Sequence, residues 1–180
     1  MAKANINSIT YRLQIFNNLI TDDKFGLPII ANYNGNIPAK LQAFNKAITQ
    51  KQYENTVHFY LNDKEFTRIL TYPEKYLEIL KNFKSVISPD FSQYIDMPSP
   101  MRFYHCFLNR AFAAYWNNNG VNVIPNVTWS TPDSYDYSFT GIEKNGIIAI
   151  NCTGVKRLGV LNICGYKDTK RQLSVWSQDI

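Results

Sequence analysis

The chain has 180 residues, of which 45% are hydrophobic and 18% are charged, a composition typical of a globular protein with one core. No apolar segment approaches the roughly 20 residues of a membrane-spanning helix, and no secretion signal is recognisable. The cysteines Cys106, Cys152 and Cys164 lack the spacing of a disulfide framework or a zinc site. We therefore expect one cytoplasmic domain over residues 1–180 that does not contact membranes.

Positive charge is concentrated at the end of the sequence. Residues 1–143 hold 13 Lys and Arg against 12 Asp and Glu, whereas residues 144–180 hold 6 against 2. This asymmetry predicts a surface for nucleic acid or for an acidic protein, and a solvated basic face is the alternative. The partner-binding residues expected on it are Lys156, Arg157, Lys167, Lys170 and Arg171.

The first third of the chain predicts a helix followed by a strand, a loop and a second helix. Apolar residues spaced three and four apart over residues 5–20 predict an amphipathic N-terminal helix. The segment LPIIANY (27–33) predicts a strand. Pro38 can begin a helix that continues through Ile48.

Strands and helices continue to alternate along the rest of the chain. TVHFYL (56–61) and SVIS (85–88) predict strands, with Asn62 or Asp63 capping a helix between them and Pro73 opening another. These are followed by a long helix from about Ser99 to Asn119 that ends at Gly120, and by the strands VNVIPNVTW (121–129) and GIIAINCTG (146–154). The loop-rich residues 130–141 are compatible with a small antiparallel excursion.

This alternation predicts an α/β fold with a mainly parallel sheet of about five strands joined by crossover helices. A doubly wound sheet and a partial barrel both fit the pattern. In either arrangement, functional sites lie at the carboxyl ends of the strands.

Polar side chains follow the predicted strands and would form a rim at that edge. They are Asn32, Asn34, Asp63, Asp90, Asp96, Asn126, Trp129, Asn151 and Thr153. If Asp63, Asp90 and Asp96 converge, they can hold Mg²⁺ or Mn²⁺ for phosphoryl chemistry. The alternative is structural: Asp63 would cap a helix, and Asp90, after Pro89, would bond backbone N–H groups of its own turn.

For catalysis, the sequence suggests Asp90 and Asp96 with His58 as the acid or base. His105 shares a helix stripe with Leu108 and Phe112 and is better explained as a hydrogen-bonded core residue. The sequence contains no dinucleotide-binding, Walker-type, zinc-protease or nucleophile-elbow motif.

Five strings together resemble a domain-of-unknown-function family of bacteriophages and integrative elements. They are VHFYLND (57–63), SPDFSQYIDMP (88–98), NRAFAAYW (109–116), GVNVIPNVTW (120–129) and INCTGVK (150–156). The resemblance covers most of residues 25–173 and implies a mobile-element origin in a bacterial host cell, an α/β domain and no established activity. It also implies one more strand after GYKDTKRQLS (165–174), so the chain is expected to be truncated at its C-terminus relative to the family.

The leading functional hypothesis is a phage or mobile-element accessory protein that binds nucleic acid or a host protein that handles nucleic acid. A counter-defence inhibitor is one concrete form. The first alternative is a metal-dependent phosphodiesterase or related hydrolase that uses the strand-end aspartates. The second is a structural subunit whose aromatic residues form an oligomer interface.

Overall fold

Residues 13–143 and 146–151 are described by the computed structural model of the protein. The first described element is helix α1 (Leu13–Phe16), which is followed by Asn18 with a positive φ of 82°. The predicted N-terminal helix therefore ends before Ile20, because the chain adopts a left-handed conformation at Asn18. Residues 5–12 of that prediction lie outside the described residues.

A four-stranded parallel sheet forms the centre of the fold. Its strands follow one another in chain order: β1 (Leu41–Ala43), β2 (Thr56–His58), β3 (Ser85–Ile87) and β4 (Val123–Ile124). All three pairings are parallel, which confirms the α/β class predicted from the sequence.

A second, two-stranded parallel sheet follows Pro125. Strand β5 (Asn126–Val127) begins immediately after this proline and pairs with β6 (Ala149–Ile150). Proline has no N–H to donate to a ladder, so the predicted strand 121–129 is divided at this residue. Within the four-stranded sheet the strands keep chain order, without the reversal of a doubly wound sheet.

Helical segments connect the parallel strands. They are α2 (Phe44–Gln50), a 3₁₀ turn (Asp63–Glu65), α3 (Arg68–Thr71), α4 (Pro73–Leu80) and α5 (Ser99–Asn118), with a further 3₁₀ turn (Pro132–Ser134) and α6 (Tyr135–Ser138) after β5. Pro73 opens α4 as predicted, and Asn62 caps the 3₁₀ turn by accepting from the N–H of Lys64. None of these helices is long and apolar enough to cross a membrane.

Alternating residues of the strands build two apolar layers. Val57 and Val86 face the larger core, which includes Phe112 and Trp116 of α5. Ile87, the next residue along β3, belongs to a smaller cluster on the other face of the sheet. This alternation follows from the two-residue repeat of a strand.

Three predicted elements differ from the structure. The helix predicted from Pro38 begins only at Phe44, because residues 41–43 pair with β2. Residues 27–33 make isolated bridges, Pro28 with Thr21 and Ile30 with Ile142, in place of a strand. The antiparallel excursion predicted at residues 130–141 is wrong, since this segment forms the second 3₁₀ turn and α6.

Helix α5 is close to its predicted bounds, and Gly120 follows it with a φ of +88°. Its second half is buried, with Phe112 and Trp116 fully enclosed. Met101 and Tyr104 in the first half are exposed. No described element covers the start of this helix well enough to bury them.

Candidate functional site

Side chains from four strand ends converge on the carboxylate of Asp90. Its Oδ1 accepts from Nδ2 of Asn126 at 2.8 Å and from the hydroxyl of Thr128, and its Oδ2 accepts from Nδ2 of Asn151 at 3.0 Å. Tyr60, beyond the end of β2, donates its hydroxyl to Oδ1 of Asn126 at 3.1 Å. We refer to Tyr60, Asp90, Asn126, Thr128 and Asn151 as the strand-end cluster.

Asp90 is 9% exposed, and this burial governs its titration. Burial raises the pKa of the carboxyl group above its usual value, the three side-chain donors lower it in part, and the negative charge of Asp63 raises it further. Among its described hydrogen-bond partners all donors are neutral. The buried carboxyl group of Asp90 thus has no positively charged group among these partners, which favours its protonated form.

The loop of residues 88–98 is fixed by side chains from neighbouring elements. The carboxylate of Asp63 accepts from the N–H of Ser92 at 3.1 Å and from its hydroxyl at 2.8 Å. Asn109 of α5 accepts from the N–H of Phe91 at 2.8 Å and donates to its carbonyl, and Nδ1 of His105 lies 2.6 Å from the carbonyl of Ser92. These contacts hold Asp90 against the ends of β5 and β6.

A buried arginine lies beneath this cluster. The guanidinium of Arg110 on α5 donates to three backbone carbonyls, those of Asn126, Ser138 and Thr140. The side chain is 1% exposed, and burial lowers the pKa of its guanidinium. Because no described ion pair includes Arg110, the three carbonyls supply its main electrostatic stabilisation.

The predicted metal ligands do not form a common group in the described structure. Asp63 is bonded to Ser92, Asp90 belongs to the strand-end cluster, and Asp96 is an exposed side chain of the following loop. Across residues 13–143 and 146–151, no three or more His, Cys, Asp or Glu residues are grouped so that they could hold a metal ion.

The structural alternatives differ from the structure too. Asn62 provides the cap in place of Asp63. The described hydrogen bonds of Asp90 come from the side chains of Asn126, Thr128 and Asn151, not from backbone N–H groups of its own turn.

His58 lies on β2, two residues before Tyr60. Its Nδ1 accepts from the N–H of Tyr60 at 3.2 Å, which places the proton of the neutral ring on Nε2. Burial lowers the pKa of this half-buried imidazole, so the neutral form is favoured. An uncharged histidine beside the strand ends is compatible with the predicted role as an acid or base, which stays a prediction.

Other predicted residues fall at the margin of the site or outside the described chain. Trp129 stacks on Phe139 with their ring centroids 6.0 Å apart, and the N–H of Asn32 donates to the carboxylate of Glu143. Thr153 and the basic residues expected to bind a partner lie outside the described residues; the latter are Lys156, Arg157, Lys167, Lys170 and Arg171.

The sequence interpretation missed Tyr60, Thr128 and Arg110. The sequence does indicate the positions of the first two. Tyr60 lies two residues after His58 of β2, and Thr128 lies two residues after the rim residue Asn126. Residues two apart along a strand lie on the same face of the sheet. Arg110 directly precedes the apolar run AFAAYW (111–116) on the same helix, which indicates a buried cation that needs acceptors.

The fold and the site define a class: a parallel α/β protein whose strand ends converge on a buried aspartate. The chain belongs to the family described as Domain of unknown function (DUF4417), whose model matches residues 20–170. This confirms the family resemblance carried by the strings around SPDFS and VIPNVTW.

Two similar proteins are encoded by bacteriophages. A "Gene 1 protein" of Mycobacterium phage L5 and one of Mycobacterium phage D29 are each 32% identical over 124 residues, which is 67% of this chain. The match covers 54% of the first and 46% of the second, so the chain spans about half the length of these relatives. No solved structure matches the chain. The chain is therefore a phage-associated protein of a family without an established function.

Proposed function

We propose that this protein is a phage accessory protein that acts by binding, either to nucleic acid or to a host protein that handles nucleic acid. The observation that carries the proposal is that the acids at the strand ends accept hydrogen bonds from other groups of the protein. Asp63 and Asp90 accept hydrogen bonds from Ser92 and from the strand-end cluster, so their oxygens hold the loop of residues 88–98 in place. Such acids support a rigid scaffold for binding.

Charge supports nucleic acid as the partner to test first. The net charge is +5, and most of this excess lies in residues 144–180. Lys and Arg that neutralise phosphates release condensed counterions, which supplies sequence-independent affinity for nucleic acid. Counter-defence against host nucleases is one form that such binding would take in a phage-associated protein.

Affinity purification of the full tagged chain from a bacterial host tests this proposal, with half of the lysate treated with nuclease. We expect nucleic acid in the untreated sample, or a stoichiometric host protein in both samples. Recovery of neither would overturn the proposal. A tagged Lys167→Ala, Lys170→Ala, Arg171→Ala variant is the matched control for charge-dependent recovery.

A metal-dependent phosphodiesterase or related hydrolase is the second candidate. One observation favours it: burial raises the pKa of Asp90 most and the negative charge of Asp63 raises it further, so two of the three predicted ligands interact electrostatically. Hydrolysis of nucleic acid would then require Mg²⁺ or Mn²⁺ and be lost in Asp90→Asn, while a folded Asp96→Asn variant would test the third predicted ligand. Hydrolysis that persists in a chelator would contradict this candidate.

A further inference from the structure

The segments that precede the strands lie side by side at the amino edge of the sheet. The N–H of Thr56 donates to the carbonyl of Lys40 at 3.0 Å, and the N–H of Lys84 donates to the carbonyl of Tyr53 at 2.8 Å. Nδ2 of Asn122 lies 3.5 Å from the carbonyl of Lys84. We refer to the exposed side chains of this edge as the amino-edge surface, which comprises Lys40, Lys51, Tyr53, Lys81, Lys84 and Asn122.

Cations outnumber anions on the amino-edge surface. All four of its lysines are exposed. Glu54 lies beside them, and Glu78 is paired with Lys81 through an N–O distance of 2.8 Å. Lys40, Lys51 and Lys84 have no described ion pair, so they are available to an anionic ligand.

The opposite edge of the sheet carries charges of both signs. The described segments that follow β2, β3 and β5 carry the acids Asp63, Glu65, Asp90, Asp96, Asp133 and Asp136. The same segments also carry the cations Lys64, Arg68, the buried Arg110 and, bonded to Asp133, the buried Arg102. The described part of the chain is close to neutral as a whole, so the group of exposed lysines at the amino edge is a local feature that would attract an anionic ligand to that edge.

An exposed aromatic ring lies among these lysines. Tyr53 is 42% exposed, and its ring meets that of Phe83 edge-on at 5.2 Å, so one side is supported and the remainder faces solvent. Exposed amides flank it at Gln52, Asn82 and Asn122. A supported aromatic ring with neighbouring lysines and amides matches the chemistry that stacks an unpaired base and contacts the adjoining phosphates.

We propose that the amino-edge surface binds single-stranded nucleic acid, with Tyr53 stacking on a base and Lys40, Lys51 and Lys84 contacting phosphates. This inference rests on the proposed function and adds a surface and a strand type to it. A single strand fits because a tyrosine ring can stack on a base only when that base is unpaired. A duplex or an acidic protein would contact the lysines but would not stack on the ring of Tyr53.

Fluorescence anisotropy with a labelled oligo-thymidylate of about 20 nucleotides tests the lysines, since OB-type sites span roughly 4–16 nucleotides. The full chain is compared with Lys40→Gln, Lys51→Gln, Lys84→Gln. A matched control, Lys46→Gln, Lys64→Gln, Lys75→Gln, removes the same charge from exposed positions elsewhere. The amino-edge variant is expected to reduce the slope of log affinity against log salt by about 2, and the control variant by much less.

The tyrosine is tested with two further variants in the same assay. Tyr53→Ala is expected to weaken single-strand binding by about 5- to 150-fold, whereas Tyr53→Phe keeps the stacking ring and most of the affinity. A duplex of equal length should be bound more weakly than the single strand by the unaltered chain. Thermal unfolding of each variant verifies that the comparison is made between folded proteins.

The outcomes separate this inference from the function on which it rests. If the unaltered chain binds neither oligonucleotide, nucleic-acid binding itself fails. If it binds and only the Lys167→Ala, Lys170→Ala, Arg171→Ala variant loses affinity, nucleic-acid binding holds and the amino-edge surface is wrong. Preference for the duplex, or equal binding by Tyr53→Ala, would also overturn the inference.

Discussion

Asn126 donates from Nδ2 to Oδ1 of Asp90 at 2.8 Å, and this bond joins the segment after β3 to the start of β5. The same amide group accepts from the Tyr60 hydroxyl through its Oδ1, so one asparagine connects the segments after β2 and β3 to the start of β5. Because these donors and acceptors are nearly enclosed, each lost bond leaves a buried polar group without a partner.

Replacing Asp90 with asparagine, whose side chain has nearly the same shape, should therefore destabilise the fold. Asp90→Asn puts an N–H₂ group where one oxygen accepted a hydrogen bond, and we expect the free energy of unfolding to fall by about 1–3 kcal/mol. The exposed Asp96→Asn is the matched control and should change it by about 0.5 kcal/mol or less. Urea unfolding measures both, and equal stabilities for the two variants would contradict the internal role of Asp90.

The pH dependence of stability should identify the buried carboxyl group. Burial raises the pKa of folded Asp90 above its usual value of 3.8, despite its side-chain donors. Between these two pKa values the folded state binds more protons than the unfolded state, so this contribution to stability is present at low pH and is lost as the pH rises. The stability difference between the unaltered chain and Asp90→Asn should thus shrink as the pH rises above about 4. A difference that grows with pH would contradict the raised pKa.

Arg110 should be much less tolerant of substitution than the half-buried Arg68. Arg110→Ala leaves three enclosed carbonyls without their donors, and the loss should be about 3 kcal/mol or more. Arg68→Ala is the control, because its half-buried guanidinium donates only to the carbonyl of Glu65, and it should cost about 1 kcal/mol. Chemical denaturation of the two variants gives the comparison.

Phe112 tests the packing of α5 against the sheet. The ring is fully buried and meets Phe16 and Trp116, so Phe112→Ala should cost about 3–5 kcal/mol. Met101→Ala on the exposed first half of the helix should cost about 0.5 kcal/mol or less. A near-neutral melting temperature for Phe112→Ala would mean that α5 does not form the layer described.

The sequence predicted the parts of the fold that local pattern determines. The apolar runs at β2 and β3 and the helix that ends before Gly120 are each recognisable from residue type and spacing. Strand β1 was missed because three residues that run directly into α2 share the apolar spacing of that helix. Its strand conformation comes from pairing with β2, which is information from a distant part of the chain.

The sequence predicted the location of the candidate site better than it predicted the hydrogen bonds between its residues. Asp90, Asn126 and Asn151 follow separate strands, and the rule for parallel sheets brings them to one edge. Their mutual hydrogen bonds depend on register and on the break at Pro125, so the sequence did not reveal that the acceptors of Asp90 would be occupied. Asp96, five residues after Phe91 in the same loop, is exposed because the anchors at Ser92 and Gln93 direct the loop outward beyond them.

Equilibrium binding of the full chain to nucleic acid across salt concentration tests the central claim most directly. Single-strand and duplex oligonucleotides are titrated from about 50 to 300 mM salt, and contacts through four or five cations predict a log–log slope of roughly −3 to −5. The Lys167→Ala, Lys170→Ala, Arg171→Ala variant should bind more weakly and with a shallower slope. If the unaltered chain binds neither oligonucleotide at about 50 mM salt, where phosphate contacts are strongest, direct binding to nucleic acid is contradicted.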